Sequence, residues 1–199
     1  MKKAFLFAFA ALFAFAAQAV TYSWSTIDGT ASRWDENYSF KNGISLSFIA
    51  TDTVMSSTFP ETGTILLQQV SIIRRNSGAD LPTSVKLFDG STEIATATLT
   101  TGNQDIRMTM ANGDFYTRNS LNLIFDDIEL DVTKTYTLRG YNAEGAEMAV
   151  GASVARNAAD SDWLIAMRVT GESVPVPEPT ALALLALGVA GLALKRKVA

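Results

Sequence analysis

Alternating apolar and polar residues fill the central part of the chain. In GISLSFIA, Ile44, Leu46 and Phe48 fall on one face of an extended strand, and serines fall on the other. Asp-Gly at 89–90 and Asn-Gly at 112–113 are hairpin turn signals. About ten such segments, separated by turn signals, predict an all-β fold. We expect an antiparallel β-sandwich, jelly-roll-like, over residues 20–174.

The first 19 residues have the layout of a secretory signal peptide. Two lysines precede an uncharged apolar run over residues 4–16, and the small-x-small sequence Ala17-Gln18-Ala19 follows it. A membrane anchor is the alternative, but the run is shorter than the ~20 residues that a span needs. The mature protein is therefore expected to begin at Val20.

The C-terminal end of the chain combines a Pro-rich linker, an apolar run and a basic cluster. Residues 180–194 include six Leu and five Ala. As a helix this run would be about 22 Å long, against a hydrocarbon core of ~30 Å. Lys195, Arg196 and Lys197 follow it and are expected to stay cytoplasmic. A transmembrane helix is predicted, with a buried core helix and a permanent simple anchor as the alternatives.

These segments divide the chain into five parts. We expect a signal peptide (1–19), a β-sandwich domain (20–174), a Pro-rich linker (175–179), a transmembrane helix (180–194) and a basic cytoplasmic tail (195–199).

The order of features in the tail resembles the PEP-CTERM sorting signal. Pro177, Glu178 and Pro179 are followed by the apolar run and then by the basic cluster. The resemblance implies that an exosortase, a protease of the inner membrane, cleaves the chain near this motif. It also implies export in a Gram-negative-type bacterium, a transient membrane anchor, and delivery to the cell surface or an extracellular polysaccharide matrix. It covers the tail alone and implies nothing about the β-domain.

The expected mature domain is acidic. Residues 20–174 hold 11 Lys and Arg against 19 Asp and Glu, which gives a net charge of −8. The whole-chain value of −4 hides this because five basic residues lie in the terminal segments. Such a surface is poorly suited to nucleic acid, so no nucleic-acid partner is expected.

The chain contains neither Cys nor His. Their absence excludes Ser-His-Asp and Cys-His catalysis, thiolate and imidazole metal sites, and disulfides. Paired carboxylates could hydrolyse a glycoside, but with 19 acidic residues some pair is inevitable. We therefore expect a protein that is not an enzyme.

One acidic cluster has the composition of a calcium site. In FDDIELD, alternation along a strand would place Asp127, Glu129 and Asp131 on one face. Oxygen ligands suit Ca²⁺, although the spacing matches no EF-hand loop. A solvated acidic turn is the competing interpretation. No other cofactor is expected.

Aromatic residues in polar surroundings are candidates for stacking on sugar rings. Trp34, Tyr38 and Tyr116 lie in polar, loop-like contexts and are the predicted glycan contacts. Trp24 and Trp163 lie in apolar strands and are expected in the core.

These observations favour an exported surface or matrix protein, processed by an exosortase and associated with exopolysaccharide. A carbohydrate-binding module with a defined sugar site is one alternative, and a secreted hydrolase using paired carboxylates is the other.

Overall fold

Antiparallel β-strands make up all the regular structure of the part of the chain that can be described. The computed structural model describes residues 19–28, 31, 33–48, 55–74, 81–156 and 164–174, and residues Thr21–Ser173 form one compact unit. Its strands are β1 (Thr21–Ser25), β2 (Arg33–Phe40), β3 (Ile44–Leu46), β4 (Ser56–Ser57), β5 (Thr64–Ile73), β6 (Ser84–Asp89), β7 (Thr92–Thr101), β8 (Ile106–Thr109), β9 (Phe115–Arg118), β10 (Ser120–Asp131), β11 (Tyr136–Tyr141), β12 (Glu147–Met148), β13 (Val150–Arg156), β14 (Leu164–Ile165) and β15 (Met167–Ser173).

A ten-stranded main sheet carries most of the fold. Its strand order is β12-β11-β6-β7-β10-β5-β15-β1-β4, and β3 pairs with β11. The two long strands β5 and β10 lie side by side, with Leu121 opposite Ile72 and Leu123 opposite Val70. These four side chains are buried on the same face. Alternation along both strands therefore gives the sheet one apolar face, as the sequence pattern predicts.

Aromatic rings join the two ends of the main sheet. Phe48 follows β3 at one end, and Phe59 follows β4 at the other. Their ring centroids are 5.1 Å apart, and the Ser57 hydroxyl donates a hydrogen bond to the Phe48 carbonyl at 3.3 Å. The sheet must therefore curl around its apolar face to bring these ends together. Tyr22 and Tyr136 extend the contact, with centroids 5.8 Å from Phe59 and 6.2 Å from Phe48, respectively.

A smaller sheet, in the order β14-β13-β2, completes the enclosure of the core. Val150 and Ala152 of β13 are buried in the same apolar cluster as the inner face of the main sheet. A separate small cluster, centred on Ile73 and Met108, lies beneath the β8–β9 hairpin. The hairpin is thus attached to the body through its own apolar contacts.

Polar contacts just beyond the end of β1, at Thr26 and Asp28, fix this segment to β14 and β15. The Thr26 hydroxyl accepts a hydrogen bond from the Met167 amide at 2.9 Å and donates one to the Ile165 carbonyl at 2.5 Å. Arg168 donates two hydrogen bonds to the Asp28 carboxylate, at 3.0 and 2.6 Å. This guanidinium lowers the pKa of Asp28.

The all-β antiparallel fold predicted from the sequence is confirmed, including both hairpins. Ile44, Leu46 and Phe48 are buried as predicted, and so is Trp24. Within the described residues no helix is long and apolar enough to cross a membrane. The predicted signal peptide up to residue 18, the linker, the helix over 180–194 and the basic tail lie outside the described residues.

We expect Phe48→Ala to destabilise the domain by about 3 kcal/mol, because it removes a fully enclosed ring at the closure of the sheet. Ile124→Ala is a suitable control, since Ile124 is 40% exposed and its loss is expected to change stability by less than about 0.5 kcal/mol. Urea unfolding followed by tryptophan fluorescence measures both effects. If both variants changed the free energy of unfolding by the same small amount, the proposed role of Phe48 in joining the two ends of the main sheet would be contradicted.

Candidate ligand-binding hairpin and sorting signal

The acidic cluster predicted as a calcium site is broken by a bulge in β10. Glu129 pairs with Leu66 and Asp131 with Thr64, but the register shifts between Ile124 and Ile128. Asp127 lies in this irregular segment with a φ of 46°, in the left-handed region. Strict alternation therefore does not extend to Asp127, and the expected common face of three carboxylates does not form.

Asp131 is used in a turn. Its carboxylate accepts hydrogen bonds from the Thr133 amide at 2.9 Å and from the Thr133 hydroxyl at 2.7 Å. These hydrogen bonds lower the pKa of Asp131 because they stabilise the charged form. In the described part of the chain, no group of three or more His, Cys, Asp or Glu side chains could hold a metal ion. Asp127, Glu129 and Asp131 thus do not combine into a metal site there.

Trp34 lies in a strand, and the predicted loop-like context is wrong. It belongs to β2 and pairs with Ala155 of β13. Its half-buried side chain packs against the small cluster of Ala31 and Ala155, and also against the cluster around Met108. These contacts show that Trp34 acts in packing. Tyr38 lies in the same strand, opposite Ala152, and its side chain is outside the described residues.

Tyr116 is the predicted glycan contact that the structure places at the surface. It lies in β9, and its side chain is 43% exposed. Its neighbour Phe115, which the sequence analysis did not single out, is 55% exposed. Among the described residues, the only other large hydrophobic side chains exposed to this degree are Val20 and Ile124. Two adjacent exposed rings on one strand therefore form an unusual feature of this surface.

The two faces of the β8–β9 hairpin differ. Thr109 pairs with Phe115 and Arg107 with Thr117, and all four side chains are exposed. The opposite face carries Met108, which is fully buried. The face with Met108 therefore attaches the hairpin to the body, although Tyr116, which pairs with Met108 on that face, is itself 43% exposed. The other face, with Arg107 and Phe115, faces solvent.

Arginine side chains lie over both exposed rings. The Arg107 guanidinium carbon lies 4.0 Å from the centroid of the Phe115 ring, and that of Arg118 lies 5.2 Å from the centroid of Tyr116. A cation over an aromatic ring is attracted by the ring quadrupole. We name the set Arg107, Phe115, Tyr116 and Arg118 the arginine–aromatic patch.

Local hydrogen bonds fix the hairpin that carries the patch. At the tip, the Asn112 side-chain amide donates to the Asp114 carboxylate at 2.7 Å, and Gly113 adopts a φ of 90°. At the base, the Asp105 carboxylate accepts from the Ser120 amide at 3.1 Å and from its hydroxyl at 2.5 Å. The rings are thus presented by an ordered turn. The Asn-Gly signal predicts the turn but not its register. A two-residue Asn-Gly loop would pair Phe115 with Met110. In the structure the Met110 amide donates to the Asp114 carbonyl at 2.8 Å, and Phe115 lies opposite Thr109.

The comparisons with known proteins identify the tail. Residues 175–197 match the family model of the PEP-CTERM protein-sorting motif. The chain carries a PEP-CTERM sorting signal. No curated protein and no solved structure matches the chain.

The PEP-CTERM match confirms the resemblance seen in the sequence. All six residues of the predicted motif fall within it, and they lie outside the described residues of the structure: Pro177, Glu178, Pro179, Lys195, Arg196 and Lys197. The PEP-CTERM signal supports export of the chain and processing by an exosortase. The match does not extend into the β-domain.

Trp34→Ala and Tyr116→Ala are expected to affect stability differently. Loss of the packed Trp34 ring should lower the free energy of unfolding by about 2 kcal/mol, because a cavity is left between two apolar clusters. Loss of the exposed Tyr116 ring should change it by less than about 0.5 kcal/mol. Chemical denaturation of the two variants tests this. A Tyr116 effect as large as that of Trp34 would show that Tyr116 also acts in packing.

Proposed function

We propose that the chain is a non-enzymatic cell-surface or extracellular-matrix protein that associates with exopolysaccharide after an exosortase has processed its tail. The family match at residues 175–197 carries the proposal, because it supports export and processing. Association with polysaccharide is inferred from the destination that the PEP-CTERM resemblance implies. The inner membrane is then a temporary partner and the matrix a lasting one.

The physical character of the tail is suited to temporary anchoring. An apolar run of fifteen residues is short for a span, and its insertion is favourable by only about 2 to 4 kcal/mol. The basic cluster after it would hold the C-terminus on the cytoplasmic side. Such a segment holds the chain in the membrane until the exosortase cleaves it. The β-domain is then released from its anchor.

Two features of the chain support a role without catalysis. The sequence lacks His and Cys, the usual bases and nucleophiles. A carboxyl group that serves as a general acid needs a raised pKa. The carboxyl groups with clear shifts in the described residues are Asp28, Glu93 and Asp131, and their pKa values are lowered by hydrogen bonds.

A carbohydrate-binding module is the second candidate function, and the exposed rings of Phe115 and Tyr116 favour it.

A jelly-roll-like sandwich remains our proposed description of the fold. Burial of Val150 and Ala152 of the small sheet in the core of the main sheet supports a second layer.

Glu178→Ala, or removal of Lys195 to Lys197, is expected to leave unprocessed protein in the inner membrane. The first change alters the sorting motif, and the second removes the positive charges that fix topology. Cell fractionation with immunoblotting measures the size and location of the chain. Glu144→Ala, at an exposed carboxylate of the β-domain, is the control and should be processed normally. Normal release of both tail variants would contradict the proposed sorting.

A further inference from the structure

We propose that the arginine–aromatic patch of the β8–β9 hairpin binds acidic polysaccharide, with Arg107 binding the carboxylate of a uronic acid unit and Phe115 and Tyr116 contacting sugar rings. This inference rests on the proposed association with polysaccharide and names its ligand class and its site.

Arg107 differs from Lys86 and Arg139, two other stacked cations among the described residues. Lys86 lies over Tyr141 but is paired with Glu93 at 2.8 Å. Arg139 lies over Phe88 and is also 3.9 Å from the Glu147 carboxylate. Arg107 is exposed, and within the described part of the chain it makes no ion pair. Its charge is therefore available to a ligand.

Stacking prepares Arg107 to recognise a carboxylate. A guanidinium stacked 4.0 Å from a ring centroid is partly oriented by its attraction to the ring. Its in-plane N–H groups can still donate two parallel hydrogen bonds to a carboxylate. Less conformational entropy is lost on binding when the donor is already oriented.

The exposed rings of Phe115 and Tyr116 add apolar contacts to the site, beside the charge of Arg107. Phe115 and Tyr116 are adjacent in β9, so their side chains point to opposite faces of the hairpin. Within the described residues, β8 and β9 form a two-stranded sheet of their own, which leaves one side of β9 unpaired. A sugar chain along this side would contact Phe115 on one face and Tyr116 on the other. The apolar faces of sugar rings stack on such side chains.

Charge favours a short-range contact at the hairpin over general attraction. The β-domain has a net charge of −8, so its overall field repels an acidic polymer. Asp105, at the base of the hairpin, and Asp114, at its tip, are hydrogen-bonded to the neutral donors of Ser120 and Asn112. They keep their negative charge and so confine an acidic ligand to the exposed Arg107. An acidic polysaccharide should therefore bind at the exposed Arg107. A neutral glycan has no carboxylate to accept hydrogen bonds from the Arg107 guanidinium, so it should bind more weakly.

Affinity electrophoresis of the full chain in mild detergent tests the proposal, with polygalacturonate, dextran sulfate or neutral dextran in the gel. We expect retardation by polygalacturonate, weaker retardation by dextran sulfate and none by dextran.

R107Q should weaken polygalacturonate binding by about 10-fold, and F115A by a similar factor. R107K should weaken it by about 3-fold, because lysine keeps the charge but lacks the two parallel N–H donors of the guanidinium.

R139Q is the matched control, because it removes the same charge from another stacked arginine, and its affinity should stay within about 2-fold of the parent chain. Equal losses for R107Q and R139Q would overturn the site in favour of general electrostatics. Equal retardation by dextran, or by dextran sulfate, would overturn carboxylate recognition. Absence of polygalacturonate binding, or R107-dependent binding to phosphatidylglycerol vesicles in its place, would also overturn the proposal.

A second experiment distinguishes failure of the proposed binding site from failure of the proposed association with the matrix. Extraction of the extracellular polysaccharide from cells that produce the parent chain or R107Q shows whether each is retained there. Retention of both chains would overturn the site and leave matrix association standing. Retention of neither chain, with polygalacturonate binding intact in the gel, would overturn matrix association and leave the site standing.

Discussion

Contact between Phe48 and Phe59 is the constraint on which the architecture of the domain depends. The two rings follow strands at opposite ends of the main sheet, and their contact requires the sheet to curl around its apolar face. The chain has no cysteine, so apolar burial and hydrogen bonds must stabilise this exported domain without disulfides. The β8–β9 hairpin contributes to a separate small cluster, so its solvent-facing side takes no part in this closure and can vary with function.

Alternation in the sequence was sufficient to predict the all-β fold and much of the core. It predicted the common face of Ile44, Leu46 and Phe48 because these residues lie in regular extended backbone. It failed at Asp127, where a bulge that no local signal marks interrupts the period. It also misplaced Trp34, because the residues next to it are polar, while the apolar clusters that it packs against include residues of strands distant in the sequence, such as Ala155 and Met108.

The candidate site shows the same limit. Tyr116 was predicted from its polar context, but Arg107 and Phe115 were not, since their contact is made across a hairpin. The sorting signal was predicted, and the family match confirms it, because its features follow one another along the chain and require no folding to be recognised. The sorting signal is thus encoded locally in the tail, whereas the surface chemistry of the β-domain depends on which strands the fold brings together.

We propose that the tail determines the sorting of the chain independently of the β-domain. Residues 175–199 can be fused to an unrelated exported reporter that has its own signal peptide, in a host that contains an exosortase. Immunoblotting of membrane and released fractions then gives the size and location of the reporter. The account predicts a shortened reporter released from the membrane. A full-length reporter retained in the membrane, while the natural chain is released from the same cells, would contradict it.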